Sequence, residues 1–255
     1  MAQIEIDGRR IDSLWIGPAP GKAPTIILLH EGLGSIAMWR DFPLRLAEAT
    51  GAGLLLYSRY GYGDSSALEG KRRADYMHLE AKETLPRLIA HFEIEPPFYL
   101  FGHSDGASIA LIYAGGREPS PAGLILEAPH AFVEEVAIVG IKKAKTLYET
   151  TDLPAKLGRY HRDPDNAFWG WNDIWLAPEF RDWNIEAFLP RVSSPALLIQ
   201  CEGDPYGSTA QLDTIEHQAA GPCERLLLAG DSHAPHHAHP EAVIKATARF
   251  LARHR

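Results

Sequence analysis

Six short apolar runs punctuate the chain: residues 25–30 (TIILLH), 53–58 (GLLLYS), 98–102 (FYLFG), 123–128 (GLILEA), 196–200 (ALLIQ) and 225–229 (RLLLA). None alternates polar with apolar positions. Strands that are apolar on both faces belong in a parallel sheet covered by helices on each side. The beginning of the chain differs. Residues 3–6 and 10–16 flank Asp7-Gly8, a two-residue hairpin signal, and predict an antiparallel pair at the sheet edge. Between the runs, apolar residues recur at helical spacing. Helices are predicted over 38–49, over 75–92 with a kink at Pro86, over 105–114, over 208–219 with a serine cap, and over 240–254. Strand and helix alternate, which predicts an α/β fold: a doubly wound, mostly parallel sheet of eight strands.

One stretch breaks that alternation. About sixty residues, 130–190, separate two runs that should be neighbours in the sheet, and a structureless loop of that length is improbable. The stretch holds four of the six tryptophans, Trp169, Trp171, Trp175 and Trp183. It reads as a helical cap inserted between strands six and seven, at the carboxyl end of the sheet where α/β proteins bind ligands. The chain then divides into a core of 1–129 and 191–255 and a cap of 130–190. Trp169, Trp171 and Trp175 become candidate substrate-binding residues.

Composition narrows the partners. The 255 residues carry 25 basic and 33 acidic side chains, a net charge of -8 that repels phosphate backbones and argues against nucleic acid. No apolar run approaches the roughly 18–20 residues needed to span a bilayer, and the opening MAQIE lacks the basic and apolar regions of a leader. Two cysteines, Cys201 and Cys223, suit free thiols in a reducing compartment, so a cytoplasmic location is expected. A small-molecule substrate and a monomer or homodimer complete the expectation.

The chemistry concentrates at Gly102-His103-Ser104-Asp105-Gly106, between a predicted strand and a predicted helix. That context is required of a nucleophile elbow, where a sharp turn lifts a serine hydroxyl above the sheet. Ser104 is the candidate nucleophile. A serine hydroxyl needs a general base, itself oriented by a third group. His233, in Gly230-Asp-Ser-His-Ala-Pro235, follows the last strand and is the candidate base. Asp204, in Cys201-Glu-Gly-Asp-Pro205, is favoured as the acid over Glu202, which lies two residues nearer its strand. An oxyanion needs two backbone N–H donors. Asp105 offers one; the loop from His30 to Ser35 offers the other through Gly32, with Leu33 as alternate. Glu31 places a carboxylate at that loop, and His103 either lines the pocket or supports the elbow. His233, His236, His237 and His239 could together hold a metal, but the surrounding pattern lacks ligand spacing, so no metal and no cofactor is expected.

On these motifs, with Ser58-Arg-Tyr-Gly-Tyr-Gly-Asp-Ser65, the chain resembles the α/β-hydrolase superfamily over essentially its whole length. Its capped serine-hydrolase branch fits best, which includes carboxylesterases, carbon–carbon bond hydrolases and enol-lactonases. The resemblance implies an α/β-hydrolase fold and a Ser-His-Asp enzyme acting on a small or medium, largely apolar ester or thioester. Carbon–carbon bond hydrolysis or enol-lactone opening is the alternative, and a non-enzymatic small-ligand receptor is the alternative of another class. The sequence departs from the usual pattern at Glu31, Cys201 and Ser232, none of which removes a catalytic group. Haloalkane dehalogenases and epoxide hydrolases share the fold but use Asp as nucleophile, where this chain has Ser104.

Overall fold

The computed structural model describes residues 2–254. Strands β1 (Ala2–Ile6) and β2 (Arg9–Ile16) form the expected hairpin, with positive φ at both Asp7 and Gly8. The remaining strands are β3 (Thr25–Leu29), β4 (Gly53–Ser58), β5 (Phe98–His103), β6 (Gly123–Glu127), β7 (Ala196–Cys201) and β8 (Cys223–Leu228). They form one eight-stranded sheet in the order β1-β2-β4-β3-β5-β6-β7-β8, antiparallel only at β1–β2 and β2–β4. Every residue of β3 to β7 is buried. The period-two pleat sorts them into two layers. Ile27, Leu29, Leu55, Leu100, Leu126 and Leu198 face one core, and Ile26, Leu28, Leu54, Leu56, Ile125 and Ile199 face the other.

Helices cover both faces. On one, α1 (Phe42–Thr50) packs against the chain's last helix, residues 240–253. The predicted helix over 38–49 is in fact divided: a 3₁₀ turn, Ile36–Trp39, precedes α1, with Arg40 at φ 54 between them. Pro43 explains the restart, because proline lacks an N–H and is tolerated only in a first helical turn. The predicted helix over 75–92 is continuous but not uniform. It runs as α2 (Tyr76–Leu79), a π-helical segment Glu80–Thr84, and α3 (Leu85–His91). Pro86 cannot donate to the carbonyl four residues back, and the wider π turn upstream relieves that crowding. Helix α4 (Asp105–Ala114) is buried at every position, which suits its apolar sequence.

Between β6 and β7 lie α5 (Glu135–Thr150), α6 (Leu153–Leu157), α7 (Pro164–Leu176) and two 3₁₀ turns, Pro178–Phe180 and Glu186–Arg191. Asp163 caps α7 by accepting the Asn166 N–H at 2.9 Å, with Pro164 at its first position. Tyr148 of α5 stacks on Phe168 of α7 with ring centroids 3.7 Å apart. The segment is tied to the core by Asn166, whose side chain accepts from Leu68 N–H at 2.8 Å and donates to its carbonyl at 2.9 Å. After β7 come α8 (Ala210–Gln218), α9 (Pro235–Ala238) and α10 (Pro240–Arg253). The expected serine cap is present: the Ser208 hydroxyl accepts the N–H of Ala210, the first residue of α8, at 3.2 Å and donates to the Glu134 carboxylate at 2.6 Å. Among the described residues both cysteines are free, and no helix is long and apolar enough to cross a membrane.

Candidate active site

Strand β5 ends at His103, α4 begins at Asp105, and Ser104 joins them at φ 53, ψ -117. A non-glycine residue there is strained by roughly 1–3 kcal/mol and persists only when its surroundings hold it. Here the Ser104 N–H donates to the Glu127 carbonyl at 2.8 Å, and its own carbonyl accepts from Ala107 and Ser108. The turn also demands close packing. A Cβ on Gly106 would lie 2.0 Å from the Leu29 carbonyl oxygen, so α4 can sit against β3 only with glycine there.

Three loops at the carboxyl ends of β5, β7 and β8 converge on this serine. His233 Nε2 is 2.9 Å from Ser104 Oγ, and His233 Nδ1 is 2.8 and 2.9 Å from the two Asp204 oxygens. Asp204 also accepts the Tyr206 N–H at 2.9 Å. Burial alone would raise its pKa, but the charge and hydrogen bond of His233, with the Tyr206 N–H, hold it below the ordinary carboxylate value. Glu202 is exposed and makes no such contact.

His103 lies behind Ser104 and His233 rather than in the pocket. It is 2% exposed, its Nε2 donates to the His233 carbonyl at 2.7 Å, and its Nδ1 faces Glu31 Oε2 at 3.3 Å. Both ring nitrogens face acceptors, which only the imidazolium satisfies. Burial opposes that charge, yet the Glu31 and Glu127 carboxylates push its pKa up to about 9. The Glu31 carboxyl is held well below its usual range: burial would raise it, and His103 outweighs burial.

A cavity of about 120 Å³ opens at Ser104. Glu31, Gly32 and Leu33 border it from the core, and Trp171 and Trp175 of α7 from above. Gly32 is packed so closely beneath Trp171 that a Cβ would lie 2.3 Å from the indole. Trp169 is not brought there; it lines a separate groove beside Arg72 and Lys145. Residues 171 and 175 are one helical turn apart, whereas residue 169 points to another face.

Four further residues complete the wall: Ala137 and Ile141 of α5, Tyr206, and His130. Sequence reasoning missed all four. Only His130 had a signal, as a histidine just beyond β6 at the carboxyl edge of the sheet. Its ring centroid lies 5.9 Å from that of His233, and burial together with the nearby His233 lowers its pKa to about 4.

The turn over residues 31–34 closes with the Gly34 N–H donating to the Glu31 carbonyl at 3.0 Å. Its start is anchored by Arg59, buried at 2% exposure, whose guanidinium donates to the His30 and Glu31 carbonyls and reaches the Asp105 carboxylate at 3.5 Å. The Asp105 carboxylate also accepts the Tyr76 hydroxyl at 2.6 Å. The four C-terminal histidines do not converge. His233 joins Ser104, His236 Nδ1 joins Glu127, and His239 Nε2 donates to the Ala229 carbonyl at 2.8 Å. A different trio, His103, Glu127 and His236, brings ligand-type atoms within 4.8 Å of one another, but both His103 nitrogens and His236 Nδ1 are already hydrogen-bonded.

Comparison with known proteins accords with this architecture. No curated protein sequence matches the chain. Among solved structures, that of VinJ superimposes with a TM-score of 0.78 at 20% identity, covering 100% of this chain and 98% of the other. The enol-lactonase of Burkholderia xenovorans LB400 gives a TM-score of 0.78 at 19% identity, covering 98% of this chain and 100% of the other. The proline iminopeptidase of Mycobacterium smegmatis gives 0.77 at 18% identity, covering 99% and 98%. These likenesses concern the fold. The sequence profile described as "Alpha/beta hydrolase family" matches residues 26–246, from β3 into α10, and so takes in every parallel strand and all three loops that meet at Ser104. The chain belongs to the alpha/beta hydrolase family.

Proposed function

We propose that the protein is a serine hydrolase of carboxylic esters or thioesters whose acyl group is small and largely apolar. The observation that carries this reading is the continuous relay at the elbow, with His233 Nε2 2.9 Å from Ser104 Oγ and His233 Nδ1 2.8 Å from Asp204. In that relay Ser104 attacks the carbonyl as His233 takes its proton, and Asp204 holds the tautomer and stabilises the imidazolium. The N–H of Asp105 and that of Gly32 or Leu33 receive the oxyanion. His233 then protonates the leaving group, and water releases the acyl-enzyme. Residues 130–190 act as a cap that screens the acyl-enzyme from bulk water.

The cavity argues for the substrate class. Its volume of about 120 Å³ is smaller than the roughly 150 Å³ apolar cavity that holds a benzene. Among the described residues no Lys or Arg lines it, and Glu31 does. A substrate bearing a carboxylate on its acyl side, as a dienoate would, lacks a counter-charge there, which favours neutral esters over carbon–carbon bond hydrolysis of such acids. Turnover of p-nitrophenyl butyrate tests the reading. Ser104→Ala should lower kcat by about 10⁴-fold or more and abolish labelling by a fluorophosphonate probe. A Ser104→Ala protein as active as the wild type refutes the nucleophile, and a wild type that neither turns over nor labels points to a receptor instead.

A further inference from the structure

Resting on that reading, we propose that His161, contributed by the segment between α6 and α7, is a positioning residue for the oxyanion-binding turn over residues 31–34. The core secures only the first half of this turn. His30 Nε2 accepts the Arg59 N–H at 2.9 Å, so its Nδ1 carries the proton and donates to the Glu31 carbonyl at 2.7 Å. The Arg59 guanidinium donates to the same carbonyl at 2.9 Å. The second half is held from the cap. His161 Nδ1 accepts the Gly63 N–H at 3.0 Å, which leaves the proton on Nε2 to donate to the Leu33 carbonyl at 2.9 Å. The ring is 3% exposed, and burial keeps it in the neutral form that this pair of bonds requires.

The Leu33 carbonyl and the Gly34 N–H belong to one peptide plane. Its N–H end is bound to Glu31, and its carbonyl end to His161. With both ends bound, that plane cannot swing, and the preceding N–H groups of Gly32 and Leu33 keep their direction beside Ser104. The other candidate donor is tied to the cap as well. The Trp175 Nε1–H donates to the Tyr76 hydroxyl at 3.1 Å, and that hydroxyl donates to the Asp105 carboxylate at 2.6 Å. Both halves of the oxyanion site therefore have one hydrogen-bonded connection to the element that covers it. Cap seating and oxyanion alignment become one event, as in enzymes where closure completes the catalytic constellation.

Glutamine and leucine separate this role from packing. Glutamine keeps one donor and one acceptor; leucine keeps volume and neither. The full chain is measured with p-nitrophenyl butyrate for kcat and KM, with butylboronic acid as a tetrahedral inhibitor whose hydroxyl occupies the oxyanion site, and with a fluorophosphonate probe. His161→Leu should lower kcat by about 10- to 100-fold, with KM within about two-fold, and weaken boronate binding in parallel. His161→Gln should recover most of the loss. Should His161→Leu fail to fold, His161→Asn replaces it, too short to span both partners, and Gln should exceed Asn in kcat. Equal kcat in wild type and the deficient variant, equal impairment in both variants, or a rise in KM with kcat unchanged overturns the proposal. A wild type without turnover or labelling overturns the ester-hydrolase reading, and this inference with it.

Discussion

His130 combines three conditions that rarely coincide. It is 2% exposed, its Nδ1 has no hydrogen-bond partner among the described residues, and it stands in the same cavity as the candidate general base. Keeping it neutral has a sign that can be worked out. Its pKa is about 4 in the fold against 6.5 in the unfolded chain, so between these values the unfolded state binds the proton more readily. Its contribution to stability is therefore complete above pH 6.5 and falls as pH drops toward 4. At 1.36 kcal/mol per pKa unit, the loss by pH 4.5 is about 2–3 kcal/mol. Urea unfolding at pH 7 and pH 4.5 checks this: His130→Gln should lose less stability than the wild type across that interval, by about that amount. His237, also lowered to about 4 but only partly buried, supplies a weaker dependence that the variant retains. An unchanged difference between the two pH values would show that His130 titrates normally.

At the scale of elements, what was legible follows from how local each signal is. Strands β3 to β7 were read within a residue or two because continuous burial on both faces leaves an unmistakable apolar run, and α4 because the elbow fixes its start. The meeting of Ser104, Asp204 and His233 followed, since each lies in the loop directly after a strand. The interruption before α1 and the π segment before α3 were less visible, because a proline's effect depends on which turn it enters. The cavity wall was hidden for a different reason. Tyr206, Ala137 and Ile141 come from separate elements and meet only through tertiary packing, and which tryptophan faces Ser104 depends on the rotation of α7. That rotation puts Trp171 and Trp175 inside and Trp169 outside. On α5, Ala137 and Ile141 are one turn apart and present one small face to the cavity. Ile141→Ala should deepen the acyl site, raising kcat/KM for p-nitrophenyl hexanoate relative to acetate by about 10-fold, a discrimination typical of one or two methylenes. Ala137→Leu should move the ratio the other way. A ratio unmoved by either variant would place the acyl group elsewhere.

Across the whole molecule, one sheet brings together residues 104, 204 and 233, and the charge of the same chain decides how a substrate reaches them. The net charge of -8 selects no substrate by itself, but it sets a field around a site that has its own carboxylate in Glu31 and no lining cation among the described residues. Like charges slow the approach of an anion, and added salt relieves them: the Debye length shrinks from about 30 Å at 0.01 M to about 8 Å at 0.15 M. The local penalty from Glu31 is closer and less screened by salt, but the His103 imidazolium 3.3 Å away offsets part of it. Two esters of comparable acyl length separate these contributions, neutral p-nitrophenyl butyrate and the hemiester p-nitrophenyl hydrogen glutarate, which carries a carboxylate at the end of its acyl chain. The neutral ester should give a kcat/KM nearly independent of salt. The anionic one should be the poorer substrate at every ionic strength and should improve several-fold between 0.01 and 0.15 M, without reaching the neutral ester, because Glu31 remains beside Ser104. Glu31→Gln, assayed at 0.15 M where the long-range field is weakest, should narrow the remaining gap. An anionic ester that outperforms the neutral one at low salt would mean that a cationic group outside the cavity wall takes part in binding, and would reopen the acid substrates that the cavity's lining disfavours.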